Sequence, residues 1–354
     1  MYQVGRYSIV GPHVRGRIPE GATLILDANV LIDLRNFYFG EGFTDSESLR
    51  ALLLRFPHSR RNPVEINYGW AATELSWVRG DGHDPSRYRR LVHAASQVLS
   101  WDVERIEMEF SMRRPPIDRD RYWPRRVSIC LADDAADPRV MLIAPYGALL
   151  YLFMLERRRQ ERQSRGREWA LASYANWMSE TLGVRMTYPM SLAIGLLAGN
   201  AQSQRQARSV LKFSGAETVD DLATKAWNVA WDIAMTSLGE GISYGLLPGI
   251  RPAESALVTR DTDPWILRSA SELRALLDDG AQRIPMSSFG MDLHQSVTES
   301  AVQKLFEFDP ADSLSRFGRD PEVVLRQAVA AVDALEQELA VTKRTLADSW
   351  MLDS

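Results

Sequence analysis

The chain predicts an α/β protein with an open sheet, a large mostly α-helical insertion and a C-terminal helix. Three observations carry this. Thr23-Leu24-Ile25-Leu26 is a short apolar run that ends in Asp27 and passes into Ala28-Asn29-Val30-Leu31-Ile32-Asp33, the pattern of a buried strand feeding a helix. Ala256-Leu257-Val258-Thr259 repeats that strand pattern and ends in Arg260-Asp261-Thr262-Asp263. Between them, from about 86 to 224, the spacing of apolar residues is almost wholly helical.

Taken in order, residues 1–22 are Gly- and Arg-rich, with one edge strand expected at Tyr7–Val10. A helix follows the 23–27 strand, and another spans Asp45 to Phe56 until Pro57 to Pro63 breaks it. From Val64 to Val78 the positions of Ile66, Trp70, Thr73 and Trp77 mark an amphipathic helix, closed by the turn Gly80-Asp81-Gly82-His83-Asp84-Pro85. Helices are then expected at 86–110, 140–161, 167–182, 189–200 and 202–213. Residues 111–139 read as a loop holding one short strand at Val127–Leu131. Thr218 caps a helix to Leu238 with Asp220 and Asp221 in its first turn, and Gly239-Glu240-Gly241-Ile242-Ser243-Tyr244-Gly245 reads as a turn. Ser271–Leu277 is expected as helix and Arg283–Met286 as a last strand. Over 321–349, Leu325, Ala328, Val332, Leu335, Leu339, Thr342 and Leu346 recur at three- and four-residue steps, a heptad seam. The seam either docks on its own protein or joins two copies. The expected division is 1–80 and 225–295 for the α/β core, 81–224 for the helical insertion and 296–354 for the C-terminal extension.

Composition narrows the function. With 354 residues, 45% hydrophobic and 25% charged, the chain reads as an ordinary globular protein of more than one domain or one enlarged domain. Cys130 is the only cysteine, which excludes an internal disulfide and a thiolate metal cluster and fits the cytoplasm. The five histidines lack zinc spacing. No signal-peptide pattern opens the chain. The longest apolar run, Val140 to Leu155, contains Pro145 and Gly147 and reads as a buried helix rather than a membrane span. A formal net charge of −4 argues against wholesale electrostatic binding of nucleic acid. Basic residues are concentrated locally: Arg119, Arg121, Arg125 and Arg126 surround Tyr122 and Trp123, and Arg157, Arg158, Arg159, Arg162, Arg165 and Arg167 form a second group.

Four acids stand where a metal site would need them. Asp27 and Asp261 end the two strands, with Asp263 two residues on, and ligands in open α/β sheets bind beyond strand carboxyl ends. Glu74 shares a helix face with Trp70 and Trp77, and Asp232 sits inside the apolar stretch Trp227-Asn228-Val229-Ala230-Trp231-Asp232-Ile233-Ala234-Met235. Each has an ordinary reading too: Asp27 as a helix N-cap, Glu74 paired to an arginine, Asp232 facing solvent, Asp261 opening a turn. Two carboxylates ~4 Å apart repel by about 4 kcal/mol at an effective dielectric near 20, so four would converge only around a cation. All-oxygen ligands of this kind suit Mg²⁺ or Mn²⁺.

Leu24-Ile25-Leu26-Asp27-Ala28-Asn29-Val30-Leu31 resembles the opening motif of PIN-domain nucleases, and Leu257-Val258-Thr259-Arg260-Asp261 resembles their late strand motif. Glu74 matches the family's helical glutamate, Asp232 resembles its third acid, and Arg283-Ile284-Pro285-Met286-Ser287-Ser288-Phe289 resembles its closing strand. The resemblance covers about 1–80 and 225–295. It implies a Rossmann-like parallel sheet and a Mg²⁺- or Mn²⁺-dependent ribonuclease. Asp27, Glu74, Asp232 and Asp261 would be its catalytic acids and metal ligands, with Asp263 as a further ligand. Asn29, Thr259 and Asn228 would orient water or phosphate around them. RNA is the implied substrate, and toxin-like members of the family are held by an antitoxin partner. The chain departs from the pattern in the roughly 150 residues between Glu74 and Asp232, which are compact in sequence in small PIN proteins.

Arg121, Tyr122, Trp123, Arg157, Arg158 and Arg159 would then track RNA, with the two aromatics stacking on unpaired bases. Two other functions compete. A PIN-like fold with a degenerate site would be a non-enzymatic RNA- or protein-binding module. A haloacid-dehalogenase-like phosphatase also begins with an aspartate after its first strand, and Asp133-Asp134 could imitate its later motif. That family wants a second aspartate two residues after the first, where this chain has Asn29.

Overall fold

The computed structural model describes residues 1–12, 14, 16–18, 22–42, 45–56, 66–79, 81–112, 114–120, 138–161, 166–245, 254–263, 266–267, 271–278, 283–289, 292–298, 302 and 320–345. Its main sheet is built from β1 (Tyr2–Val4), β2 (Tyr7–Val10), β3 (Thr23–Leu26), β4 (Ile66–Asn67) and β7 (Ser255–Thr259), in the order β1-β2-β7-β3-β4. β7, β3 and β4 run parallel, while β1 and β2 add an antiparallel flank. Tyr7–Val10 is therefore an interior strand rather than the expected edge, and β1 forms that edge. β3 and β7 are buried along their whole lengths, which is why both read as unbroken apolar runs instead of alternating ones. Their register sets Ile25 opposite Leu257 and Leu26 opposite Val258, so the two motif ends emerge side by side.

Contact density divides the chain into two compact units. The first comprises 1–137, 235–262 and 280–283, and the second comprises 138–234, 263–279 and 284–354. In the first, α1 (Ala28–Phe39) buries Val30, Leu31 and Leu34 in a core shared with Leu24, Leu26 and Val258. α1 stops at Gly40, whose φ of +73° gives the left-handed turn that frees its N–H for the last carbonyls. The rest of the unit holds α2 (Ser46–Leu53), α3 (Gly69–Ser76), α4 (Pro85–Leu99), α5 (Val103–Ser111) and α6 (Ile117–Asp120). The expected 86–110 helix is split because Asp102 caps a new one, its side chain accepting the Arg105 N–H at 2.9 Å. The expected 64–78 helix is likewise shorter. Ile66–Asn67 pairs with β3 as a strand, and Trp77 lies in β5 (Trp77–Val78), hydrogen-bonded to β6 (Gly82–His83). Trp77 stacks on His83 at 5.7 Å there instead of extending the helix face of Glu74.

The second unit is mainly helical: α7 (Arg139–Glu161), α8 (Arg167–Asn176), α9 (Thr187–Ala193), α10 (Ala201–Leu211), most of α11 (Val219–Tyr244) and α12 (Pro321–Glu338). α8 and α9 each run into a π-helical turn, Trp177–Thr181 and Ile194–Ala198. β8 (Ser271–Asp278) and β9 (Arg283–Phe289) pair as a two-stranded ribbon, so Ser271–Leu277 is strand and not helix. The Gly239–Tyr244 stretch is also not a turn: α11 continues through it. There Gly239 and Gly241 lie on a helix, and the Ser255 hydroxyl donates to the Gly239 carbonyl. α7 is the one helix among the described residues long and apolar enough to cross a membrane, and 72% of its most apolar window is buried within the protein. Pro145 sits inside it. Val127–Leu131 falls outside the described residues.

Candidate functional site at the ends of β3 and β7

Asp27 leaves β3 with its N–H bonded to the Val258 carbonyl at 3.0 Å, which sets it beside Thr259. Its backbone is extended (φ −80°, ψ 159°) and its side chain accepts the Ala28 N–H at 2.7 Å, so it is the N-cap of α1. The second carboxylate oxygen accepts the Thr259 hydroxyl at 2.5 Å and the Asn29 amide at 2.7 Å. Asn29 ties the strand ends together. Its nitrogen also reaches Thr259 Oγ1 at 3.4 Å and Asp261 Oδ2 at 3.1 Å, and its oxygen accepts the Arg260 N–H at 3.0 Å. Thr259 Oγ1 in turn accepts the Asp261 N–H at 2.9 Å. Asp27 is buried and Asp261 exposed. Burial pushes the Asp27 carboxyl above its ordinary range. The Asp261 charge adds to that, while the bonds from Thr259, Ala28 and Asn29 oppose it.

A second acid on α1 was missed from the sequence. Asp33 is buried at 3% exposure and accepts the Tyr7 hydroxyl at 2.8 Å. Arg6 lies 2.8 Å from one of its oxygens and Arg260 3.2 Å from the other. The tyrosine hydroxyl is pushed up by burial and then by the Asp33 charge. The available signal was an acid amid Val30, Leu31 and Leu34, the same signal that singled out Asp232. Arg260, between Thr259 and Asp261, thus links the late strand to α1 by its backbone at Asn29 and its side chain at Asp33.

The expected four-carboxylate centre is corrected by these contacts. Among the described residues no group of three or more His, Cys, Asp or Glu side chains could hold a metal ion, and all four acids are described. Asp27 and Asp261 meet through Asn29. Glu74 lies half-buried on α3. Asp232, half-buried on α11, and Asp263 belong to the second unit. Asp263 is 3.8 Å from the Lys212 ammonium, and Asn228 is exposed on α11. The physical reason is donor supply. Both Asp27 oxygens already have protein partners, Ala28 on one and Thr259 and Asn29 on the other. The metal-dependent nuclease, its Mg²⁺ or Mn²⁺, and the hydrolase chemistry drawn from them are therefore withdrawn.

The expected RNA track is also occupied. Arg157 donates to the Glu217 carbonyl, Arg158 pairs with Glu338 at 2.5 Å, and Arg159 clasps Glu156 at 2.7 and 2.9 Å. Arg121, Tyr122 and Trp123 lie outside the described residues. The fold and site thus define a mixed α/β protein with a five-stranded sheet, extensive helix and a neutral-donor clasp at the sheet's carboxyl edge. No family model matches the chain, and neither a curated protein nor a solved structure is similar to it.

Proposed function

We propose that this chain is a non-catalytic protein-binding module, a PIN-like fold whose site has become a structural clasp. The observation that carries the reading is the engagement of both Asp27 carboxylate oxygens by Ala28, Asn29 and Thr259. The PIN-like, Rossmann-like reading draws support from the parallel β3–β7 pair, whose adjacent ends bear the two motifs of the resemblance. A protein suits this chain better than RNA as the macromolecular partner. The net charge is −4, and Arg157 and Arg158 are each closed on an internal acceptor.

Fluorescence anisotropy with labelled single-stranded RNA at physiological salt tests the choice. The expected result is no saturable binding. Saturable binding that disappears when Arg157, Arg158 and Arg159 are all changed to Ala would replace the protein reading with the RNA one.

A further inference from the structure

We propose that Arg159, Arg167 and Arg208 form a recessed anion site in the helical unit that takes a compact, multivalent phosphate. This goes beyond the protein-binding reading and does not rest on it. The core of the site is Glu156, fully buried on α7. Its two oxygens take four donors: Arg159 Nε at 2.7 Å and Nη2 at 2.9 Å, Arg208 Nη2 at 2.8 Å, and the Gln160 amide at 2.9 Å. That carboxylate is saturated and carries one negative charge against two guanidiniums.

A third guanidinium joins them. α7 and α8 pack on each other and are separated in the chain only by residues 162–166, so Arg159 near the end of one and Arg167 at the start of the other share one end of the helical hairpin. α8 and α10 both pack on the π-helical turn Ile194–Ala198, which brings Arg208 of α10 to the same region. Arg167 donates to the Leu197 carbonyl of that turn at 3.1 Å and pairs with no carboxylate among the described residues. The adjacent Glu168 is turned to Thr298, accepting its N–H at 2.9 Å. Arg167 is held below the ordinary guanidinium range by desolvation first and by the Arg159 charge second, with Glu156 offsetting in part.

Among the described residues, three guanidiniums against one carboxylate leave an excess of positive charge in a place only partly open to water. Side-chain exposure is 18% at Arg159 and 29% at Arg208. Arg208 is further held over the Phe213 ring, at 5.2 Å from its centroid, so its fork is fixed before any ligand arrives. Fixed, planar forks favour phosphate oxygens over a halide or a single carboxylate. Recessed forks favour a compact phosphate over an extended strand.

Calorimetric titration of the full chain with inorganic phosphate, pyrophosphate and a nucleoside diphosphate tests the site. Saturable binding of pyrophosphate is expected, weakening as salt rises. Equal affinity for pyrophosphate and the nucleotide assigns the free anion, and tighter nucleotide binding assigns a nucleotide; both support the site. Arg167→Gln keeps an amide donor for the Leu197 carbonyl and should weaken binding by about tenfold or more. Its unliganded Tm reports whether the fold is kept. Arg208→Lys, which keeps a charge opposite Glu156 but loses the fork, is the second variant and should also weaken binding. No saturable binding of any of the three anions overturns the site, as does an affinity unchanged in both variants. Arg167-dependent binding of single-stranded RNA that pyrophosphate fails to displace would overturn it in favour of a nucleic-acid surface.

Discussion

At Asp27 one carboxylate does two structural jobs: it caps α1 and fastens the end of β3 to Thr259 on β7. The sequence placed both readings of this residue in view, cap and ligand. It could not separate them, because an acid after a buried strand looks the same in either case. What decides is the supply of neutral donors from Asn29 and from Thr259, which lies 232 residues beyond Asp27 and comes beside it through the parallel pairing. Thr259→Val removes the 2.5 Å bond to a buried carboxylate and should cost about 1–3 kcal/mol in denaturant unfolding. Asp27→Ala, which loses the cap, should cost about 1–2 kcal/mol. The raised Asp27 carboxyl gives a pH signature. The folded state holds that proton more tightly than the unfolded chain does. The resulting stability is fully present below the ordinary carboxylate range and is lost as pH rises through the folded value. Asp27→Asn should abolish that part of the slope. An unchanged slope would show that Asp27 is not the titrating group.

Among the elements, the C-terminal helix α12 makes the clearest case. The heptad spacing was legible, and so was the weakness of a seam with Ala328 and Thr342 at core positions. In the structure Ala328, Val332 and Leu335 are buried and α12 packs on α7 within the same unit. A Cβ added at Gly147 of α7 would meet a Val332 methyl, and the Tyr146 hydroxyl donates to the buried Glu336 at 2.6 Å. Glu336 also accepts the Thr345 N–H at 2.9 Å, holding the segment that follows the helix. The helix ends at Glu338, short of the expected 349, with Ala340 at φ +54° turning the chain. Leu335→Glu should cost about 3 kcal/mol, since it forces a charge into packed surroundings, with the mass in solution unchanged. Gly147→Ala should cost about 1–3 kcal/mol by overpacking. Sedimentation alongside chemical unfolding reads both. A stable monomer formed from a dimer by Leu335→Glu would instead make the seam an assembly device. The β8–β9 ribbon was missed because Ser271–Leu277 has helix-forming residues, and strand pairing is a tertiary effect that overrides such local preference.

For the whole molecule, the α/β class and most helices were readable because their apolar periods are set locally. The convergence of side chains was not, since it depends on where strands and helices are placed. Glu74, Asp232 and Asp261 each had a defensible spacing, and Asp261 joins Asp27 through Asn29. Protection should follow the buried layers. In hydrogen exchange, amides of β3 and β7, whose side chains are fully buried, should be the slowest of the first unit, and those of α7 the slowest of the second. Exchange at β3 as fast as at the half-exposed α5 would contradict the described core. The central claim is that the edge formed by Asp27, Asn29, Thr259 and Asp261 is closed by protein donors. Calorimetric titration of the purified chain with Mn²⁺, beside Asp27→Asn, tests it most directly. No saturable heat is expected in either protein, and no change in Tm on adding the ion. Saturable binding by the unmodified chain that Asp27→Asn abolishes would contradict it.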